Sequence, residues 1–256
     1  MKQETKERLR AVKSILVSQP KPENDNSPYF GLAEKYGIKV DFRPFIEVQS
    51  IDLKEFRQQK INILEHTAII LTSRNAVDHF FNICKQLKID VPADMKYFCI
   101  SEQTANYLQK YIVIRKRKIF TGERTPIELL DVLSKHKDEK FLYPCSNIRK
   151  DDIPTYMIEN GFNFTEATLY KTVASDLSDL ADIKYDLIAF FSPSGINSLF
   201  VNFPGFEQNS TRIATFGPTT ASAAREANLF VDVEAPLPEA PSMTGAIEVY
   251  IKKVLK

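Results

Sequence analysis

Hydrophobic positions along the chain gather into short, nearly continuous apolar runs, and two of these runs stop at a cluster of small hydroxyl residues before a helical period begins. Ala68 to Leu71 ends at Thr72-Ser73 and passes into an amphipathic stretch reaching Phe81; Leu187 to Phe191 ends at Ser192-Pro193-Ser194-Gly195 and passes into a helix through Ile196, Leu199 and Phe200. Apolar runs of this length without alternation predict strands covered on both faces. Hydroxyls followed by Pro or Gly predict helix caps. A cap of this kind either simply ends a loop or, at the carboxyl end of a parallel strand, holds a carboxylate or phosphate on free helix N–H groups.

The remaining pattern fills in the elements. Ser14 to Gln19 predicts a strand, Pro20 to Pro28 a polar loop, and Tyr29 to Tyr36 a helix stopped by Gly37. Lys39 to Val48 predicts one strand, exposed or linking because of Pro44. Lys54 to Leu64 predicts a helix, and Tyr111 to Ile114 is strand-like, with four basic residues, Arg115 to Lys118, beside it. Thr125-Pro126 starts a helix to His136, and Lys140 to Arg149 ends a strand with Pro144, Ser146 and Asn147 at its tip. A proline-bearing loop, Glu234 to Ser242, leads into a final helix, Met243 to Leu255.

Several of these segments occur twice. Ser73 matches Ser192 and Phe81 matches Phe200 at one constant separation, while Gly217, Thr220 and Ala221 fall over Ser101, Thr104 and Ala105. Pro20 and Pro144, and Gly37 and Gly161, share another separation. One unit therefore has strand, helix and long strand first and its strand-turn-helix pairs afterwards; the other has them in the reverse order. Constant offsets of this kind signal internal duplication, and the order places one unit inside the other. The expectation is an α/β protein of two similar three-layer α/β/α domains with parallel sheets: residues 1–42 and 173–256 form the first, residues 49–166 the inserted second, and 43–48 with 167–172 a two-stranded linker.

The bulk properties narrow the function. At 256 residues the chain can hold two cores. A net charge of +1 offers no global field for nucleic acid or an anionic membrane, so an anionic ligand must be held locally. Without aromatic interleaving, the run Arg115 to Lys118 reads as a solvated edge. Cys84, Cys99 and Cys145 are odd in number and scattered, which argues against a disulfide framework or zinc and for core thiols of a reducing cytosol. The mixed-charge start MKQETKERLR does not read as a signal peptide, and no apolar run approaches the roughly 20 residues of a bilayer span. A cytoplasmic location and a monomer are expected.

No H-E-x-x-H, C-x-x-C, G-x-G-x-x-G, Walker A or G-x-S-x-G occurs. What the pattern leaves is a cleft lined by hydroxyls and backbone amides of both domains, suited to an anionic ligand that supplies most of its own reactivity. Arg149, just beyond Ser146, either clamps a carboxylate there or decorates the next helix.

The set SPSG at Ser192 to Gly195, FGPTTA at Phe216 to Ala221, LTSRNAV at Leu71 to Val77, SEQTA at Ser101 to Ala105, LYKT at Leu169 to Thr172 and APSMTGAI near the end resembles the uroporphyrinogen-III synthase family. The resemblance runs in order over nearly the whole chain; its motifs are weak singly and specific jointly. It implies a substrate, hydroxymethylbilane, a linear tetrapyrrole with eight carboxylates. The family's enzymes expel its terminal hydroxyl as water, giving an azafulvene, and close the ring through a spiro intermediate with inversion of the last pyrrole, yielding uroporphyrinogen III for haem biosynthesis. They use no cofactor and no metal. A transient hand-over from hydroxymethylbilane synthase is an accompanying expectation.

By the same resemblance, Tyr170 assists departure of the hydroxyl, and a protonated phenol is a suitable donor at neutral pH. Substrate carboxylates are expected at Thr72, Ser73, Asn75, Ser101, Thr104, Ser146, Arg149, Ser192, Ser194, Gly195, Gly217, Thr219 and Thr220. Arg212 stands where some members carry a Lys facing the cleft, so it is either a carboxylate contact or a solvated strand-edge residue. Asn75 stands where some relatives have a basic residue, with Arg74 adjacent, and Ser101 replaces a usual glycine, which keeps the backbone there further from ligand. The competing class is a non-catalytic two-domain binding or sensor protein for a carboxylated ligand; it accounts for the duplicated turns but not for LYKT. A sugar-nucleotide transferase would need an acidic metal-binding pair, which is missing from the strand ends.

Overall fold

The computed structural model describes residues 8–24, 26–113, 115–122, 126–180 and 184–255. The start of the chain as far as Glu7, with its mixed charge, and the expected features at Ile114 and Thr125 lie outside the described residues.

In chain order the elements are β1 (Ser14–Val17), α1 (Pro28–Tyr36), β2 (Lys39–Phe42), β3 (Ile46–Ser50), α2 (Leu53–Gln58), β4 (Ala68–Leu71), α3 (Arg74–Leu87), β5 (Lys96–Cys99), α4 (Glu102–Tyr107), β6 (Ile119–Thr121), α5 (Pro126–Leu133), β7 (Lys140–Ser146), α6 (Asp152–Glu159), β8 (Asn163–Ala174), β9 (Leu187–Phe190), α7 (Pro193–Asn202), β10 (Arg212–Phe216), α8 (Pro218–Glu226), β11 (Val231–Ala235) and α9 (Met243–Val254). Among the described residues, no helix is long and apolar enough to cross a membrane.

The chain divides into two compact units, one of residues Met1–Glu47 with Val173–Lys256 and one of Val48–Thr172. In the first unit a 5-stranded sheet has the order β11-β10-β9-β1-β2, every pair parallel. Ile15 and Val17 face one side with Leu187 and Ala189, against Leu32 of α1 and Ile247 and Ile251 of α9. Leu16, Ile188, Phe190 and Ile213 face the other, against Ile196 and Leu199 of α7 and Ala224 of α8. Helices on both faces are why the central strand β9 is apolar at every position and β1 is apolar from Ile15 to Val17. Each such side chain, fully buried, stabilises the fold by about 1.5–3 kcal/mol.

The second unit contains the order β8-β7-β4-β5-β6, again parallel, with β3 added beside β8 in a 6-stranded sheet. Ile69, Leu71, Tyr97 and Cys99 pack on Val77 and Phe80 of α3; Ala68, Ile70, Phe98 and Phe141 pack on Leu129 and Leu133 of α5 and Met157 of α6. The order β2-β1-β9-β10-β11 of the first unit is the order β8-β7-β4-β5-β6 of the second. Two like α/β units therefore stand in one chain, the second inserted in the first.

Three local expectations need correction. Lys39 to Val48 is not one strand: it breaks into β2 and β3 around Pro44, which has no N–H to give to a ladder. β3 lies beside β8, where the N–H of Ile51 donates to Leu169 at 3.1 Å and that of Ser175 to Phe45 at 2.9 Å, an antiparallel sense. Tyr111 to Val113 turns instead of forming a strand, with Val113 almost fully exposed, and the edge strand is β6 after the basic run. The helix read over Lys54 to Leu64 ends at Gln58, because the Gln59 amide bonds both ways to the backbone of Thr168 (2.8 and 2.9 Å) and Lys60 turns left-handed at φ 55°.

Candidate active site

In each sheet the chain winds outward in both directions from an inner pair, β1 and β9 in the first unit and β7 and β4 in the second. A crevice opens at the carboxyl ends of such a pair, and ligands of open α/β sheets bind in it. In the second unit this place is a cavity of about 440 Å³. Thr72 and Ser73 follow β4, Tyr143, Cys145 and Ser146 come from β7, Arg149 follows it, and Tyr170 enters from β8.

Local sequence explains how these groups arrive. Ser73 is extended at φ −163° and its Oγ accepts from the Ala76 N–H at 3.1 Å, capping α3. The ladder between β7 and β8 slips by one residue, so that Cys145 opposes Thr168 and Ser146 opposes Tyr170. This bulge breaks the alternation of β8, leaving Leu169 and Tyr170 both buried. Asn147 pins it: its N–H donates to the Tyr170 carbonyl at 3.2 Å, and its Oδ1 accepts from the Thr172 N–H at 2.9 Å and the Ser146 hydroxyl at 3.0 Å.

Two phenols therefore face one cavity, and both are held in the protonated form. Burial raises the Tyr170 pKa, with a hydrogen bond to Ser73 pulling the other way. Burial pushes Tyr143 up to about 12, helped by the neighbouring Cys145 and opposed by Thr72. At neutral pH each is a hydrogen-bond donor. Arg149 lines the cavity with its guanidinium already engaged, Nε donating to Glu166 at 2.5 Å and Nη1 to Asp151; the Glu166 bond raises its pKa further. Because Asp151 is exposed, a ligand carboxylate can compete for that side of the fork.

The other candidate residues lie as follows. Arg74 and Asn75 are both exposed in the first turn of α3, Arg74 with its guanidinium 5.4 Å over the Tyr107 ring. Ser101 accepts from the Thr104 N–H at 3.3 Å, and Thr104 is buried. In the first unit Ser192 accepts from the Gly195 N–H at 3.2 Å, capping α7, with Ser194 half-buried beside it. Gly217 begins α8 at φ 85°, its N–H on the Ala235 carbonyl at 2.7 Å; Thr219 is exposed and Thr220 buried. Phe216 and Phe191 stack at this edge, centroids 6.2 Å apart.

Arg212 does not belong with these turns, and its reading as a cleft or solvated residue is corrected. It opens β10, at the amino edge of the sheet, whereas the turns follow the carboxyl ends. It is 2% exposed, and its guanidinium donates to the carbonyls of Ala11 (2.8 Å), Arg10 (3.5 Å) and Ser210.

Two residues of the cavity region escaped the sequence reading. Tyr143 sits inside an apolar strand and reads as core. His79, which belongs to no motif in the sequence, stacks on Tyr170 with centroids 4.7 Å apart.

Parallel sheets in two nested like units, with a switch-point crevice and hydroxyl-capped helix starts, define the class: a duplicated α/β protein with hydrogen-bond donors at the carboxyl ends of its strands. The family described as HEM4, uroporphyrinogen-III synthase HemD, matches residues 27–245, and the chain belongs to that family. It is 28% identical over 228 residues, 84% of this chain and 44% of the relative, to the porphyrin biosynthesis protein HemD of Ruminiclostridium josui. It is 27% identical over 128 residues, 43% of this chain and 46% of the relative, to the uroporphyrinogen-III synthase of Saccharomyces cerevisiae. The chain thus spans less than half the length of these curated relatives. Among solved structures, uroporphyrinogen-III synthetase from Helicobacter pylori 26695 superposes with a TM-score of 0.58 at 19% identity, covering 94% of this chain and 99% of that one. A mutant uroporphyrinogen III synthase from the extremely thermophilic bacterium Thermus thermophilus gives 0.54 at 16% identity, with 94% and 99% covered. At these identities the likeness is one of fold.

Proposed function

We propose that the protein is a uroporphyrinogen-III synthase: it takes hydroxymethylbilane, removes its terminal hydroxyl as water, and closes the ring with inversion of the terminal pyrrole. The observation that carries this reading, beside family membership, is the pair of protonated phenols in the switch-point crevice. Expelling hydroxide from an electron-rich pyrrole needs little more than a donor on the departing oxygen; the pyrrole nitrogen supplies the electron push. Tyr170 is assigned to that oxygen, with Ser73 beside it to bond the phenol as the proton moves. Tyr143 and Thr72 bound the same space and orient the substrate. Carboxylates are assigned to N–H groups at hydroxyl-capped helix starts, to the Arg149 fork and, in the first unit, to the turns at Ser192 to Gly195 and at Gly217.

The remaining features of the reading are a monomer acting on a diffusible substrate passed on by hydroxymethylbilane synthase, in a reducing cytosol that suits three buried free thiols. The test generates hydroxymethylbilane in situ, adds the protein, oxidises the products and separates the uroporphyrin isomers. A dominant type III isomer is expected. Only the spontaneous type I isomer would overturn the synthase and favour a binding protein for a carboxylated ligand.

A further inference from the structure

Behind the Tyr170 phenol lies a ring that does not itself line the cavity. His79 of α3 stacks on Tyr170 with planes 18° from parallel, and its Nδ1 shares a hydrogen bond of 2.8 Å with the hydroxyl of Ser50, the last residue of β3. The imidazole is held on its face by β8 and on its edge by β3. Burial lowers its pKa against a smaller opposing pull from Asp78, so it stacks as a neutral ring at neutral pH. Near-parallel ring pairs at this distance attract beyond their area of contact.

We infer that His79 is a positioning residue for Tyr170: the stack, anchored through Ser50, fixes the plane of the phenol and keeps its O–H on the cavity. The physical need is specific. A tyrosine projecting from a strand has more than one staggered χ1 well open to it, and the bulge at Cys145 and Ser146 sets the backbone position of Tyr170 without fixing its ring. Ser73 stands near the oxygen and His79 covers the face. This inference rests on the assignment of Tyr170 as proton donor made above.

The experiment uses full-length protein with ¹³Cζ-labelled tyrosine, the Tyr170 resonance being the one missing from Tyr170→Phe. His79→Ala is expected to shift that resonance and to lower kcat about three- to tenfold, with KM unchanged. His79→Phe, which keeps a flat ring, recovers most of the rate, and Ser50→Ala shows a smaller loss of the same kind. In the double variant the His79→Ala loss disappears into that of Tyr170→Phe. If His79→Ala does not fold, His79→Gln, which keeps a polar reach to Ser50 without the ring, replaces it against His79→Phe. An unmoved Tyr170 resonance, a loss confined to KM, or losses that multiply in the double variant would overturn the proposal. Full kcat in Tyr170→Phe would overturn the donor assignment beneath it, and is told apart because the resonance still moves in His79→Ala.

Discussion

The guanidinium of Arg212 donates to the backbone carbonyl of Ala11 at 2.8 Å, joining the first residue of β10 to the segment that leads into β1. The Arg10 and Ser210 carbonyls share the same group, and Asp186 stands 3.9 Å away. The role is structural. Arg212→Met removes a buried guanidinium and the part-buried bonds it makes to three carbonyls, and is expected to lower stability by about 1–3 kcal/mol. Urea unfolding checks the loss, and the KM for hydroxymethylbilane of the folded fraction is expected to stay within about twofold, since a tenfold change would need about 1.4 kcal/mol of lost binding.

His66 gives stability a pH dependence. It is 5% exposed, its Nδ1 lies 2.9 Å from the Asn62 carbonyl, and its Nε2 has no hydrogen-bond partner among the described residues. Burial holds its pKa below the ordinary value of 6.5. The unfolded chain therefore takes up a proton as pH falls through 6.5 while the folded chain does not, and stability drops from there until the folded pKa is reached. His79 acts in the same direction. The carboxylates with lowered pKa, Asp41, Glu65, Asp78, Glu139, Asp176 and Glu248, act only at lower pH. The urea midpoint is expected to fall between about pH 7.5 and about pH 5.5, and less so in His66→Phe; equal slopes would refute the assignment.

Gly217 and Ser101 occupy matched places in the two units but not matched conformations. Gly217 sits at φ 85°, ψ 152°, open only to glycine, whereas Ser101 is extended at φ −153°. Gly217→Ala is expected to cost about 1–3 kcal/mol through backbone strain. Ser101→Gly costs a few tenths of a kcal/mol and Ser101→Ala about 1 kcal/mol, through the lost cap. Thermal unfolding of the three variants gives the order directly.

The same pair shows how far the sequence could be read. Caps, breakers and apolar runs are local, so Ser73, Ser101 and Ser192 announced their helices and the repeated order announced two nested units. The difference between Gly217 and Ser101 was visible as a substitution but not as a change of backbone. Arg212 was misplaced although the signal was present: the strand starts there and the turn follows its far end. Tyr143 and His79 were out of reach for a different reason. Their neighbours, Thr72, Tyr170 and Ser50, come from distant strands, and a bulge that no spacing rule predicts makes Tyr170 buried alongside Leu169.

The two phenols of the cavity separate donor from scaffold. Tyr170→Phe removes an O–H assigned to the departing oxygen and is expected to lower kcat about ten- to a hundredfold, near the lower end because the pyrrole drives the departure itself. Tyr143→Phe, whose hydroxyl meets Thr72, is expected to raise KM a fewfold with kcat nearly kept. Both pKa values are raised, so both phenols stay protonated well into alkaline solution, and the rate is expected to hold from about pH 7 to about pH 10, where an ordinary tyrosine is already half ionised. Type III formation at each pH, corrected for spontaneous type I closure, measures this. A rate that halves by about pH 9 in the wild type but not in Tyr170→Phe would refute the raised pKa, and a rate that climbs as the phenol ionises would mean that Tyr170 acts as a base instead of a donor.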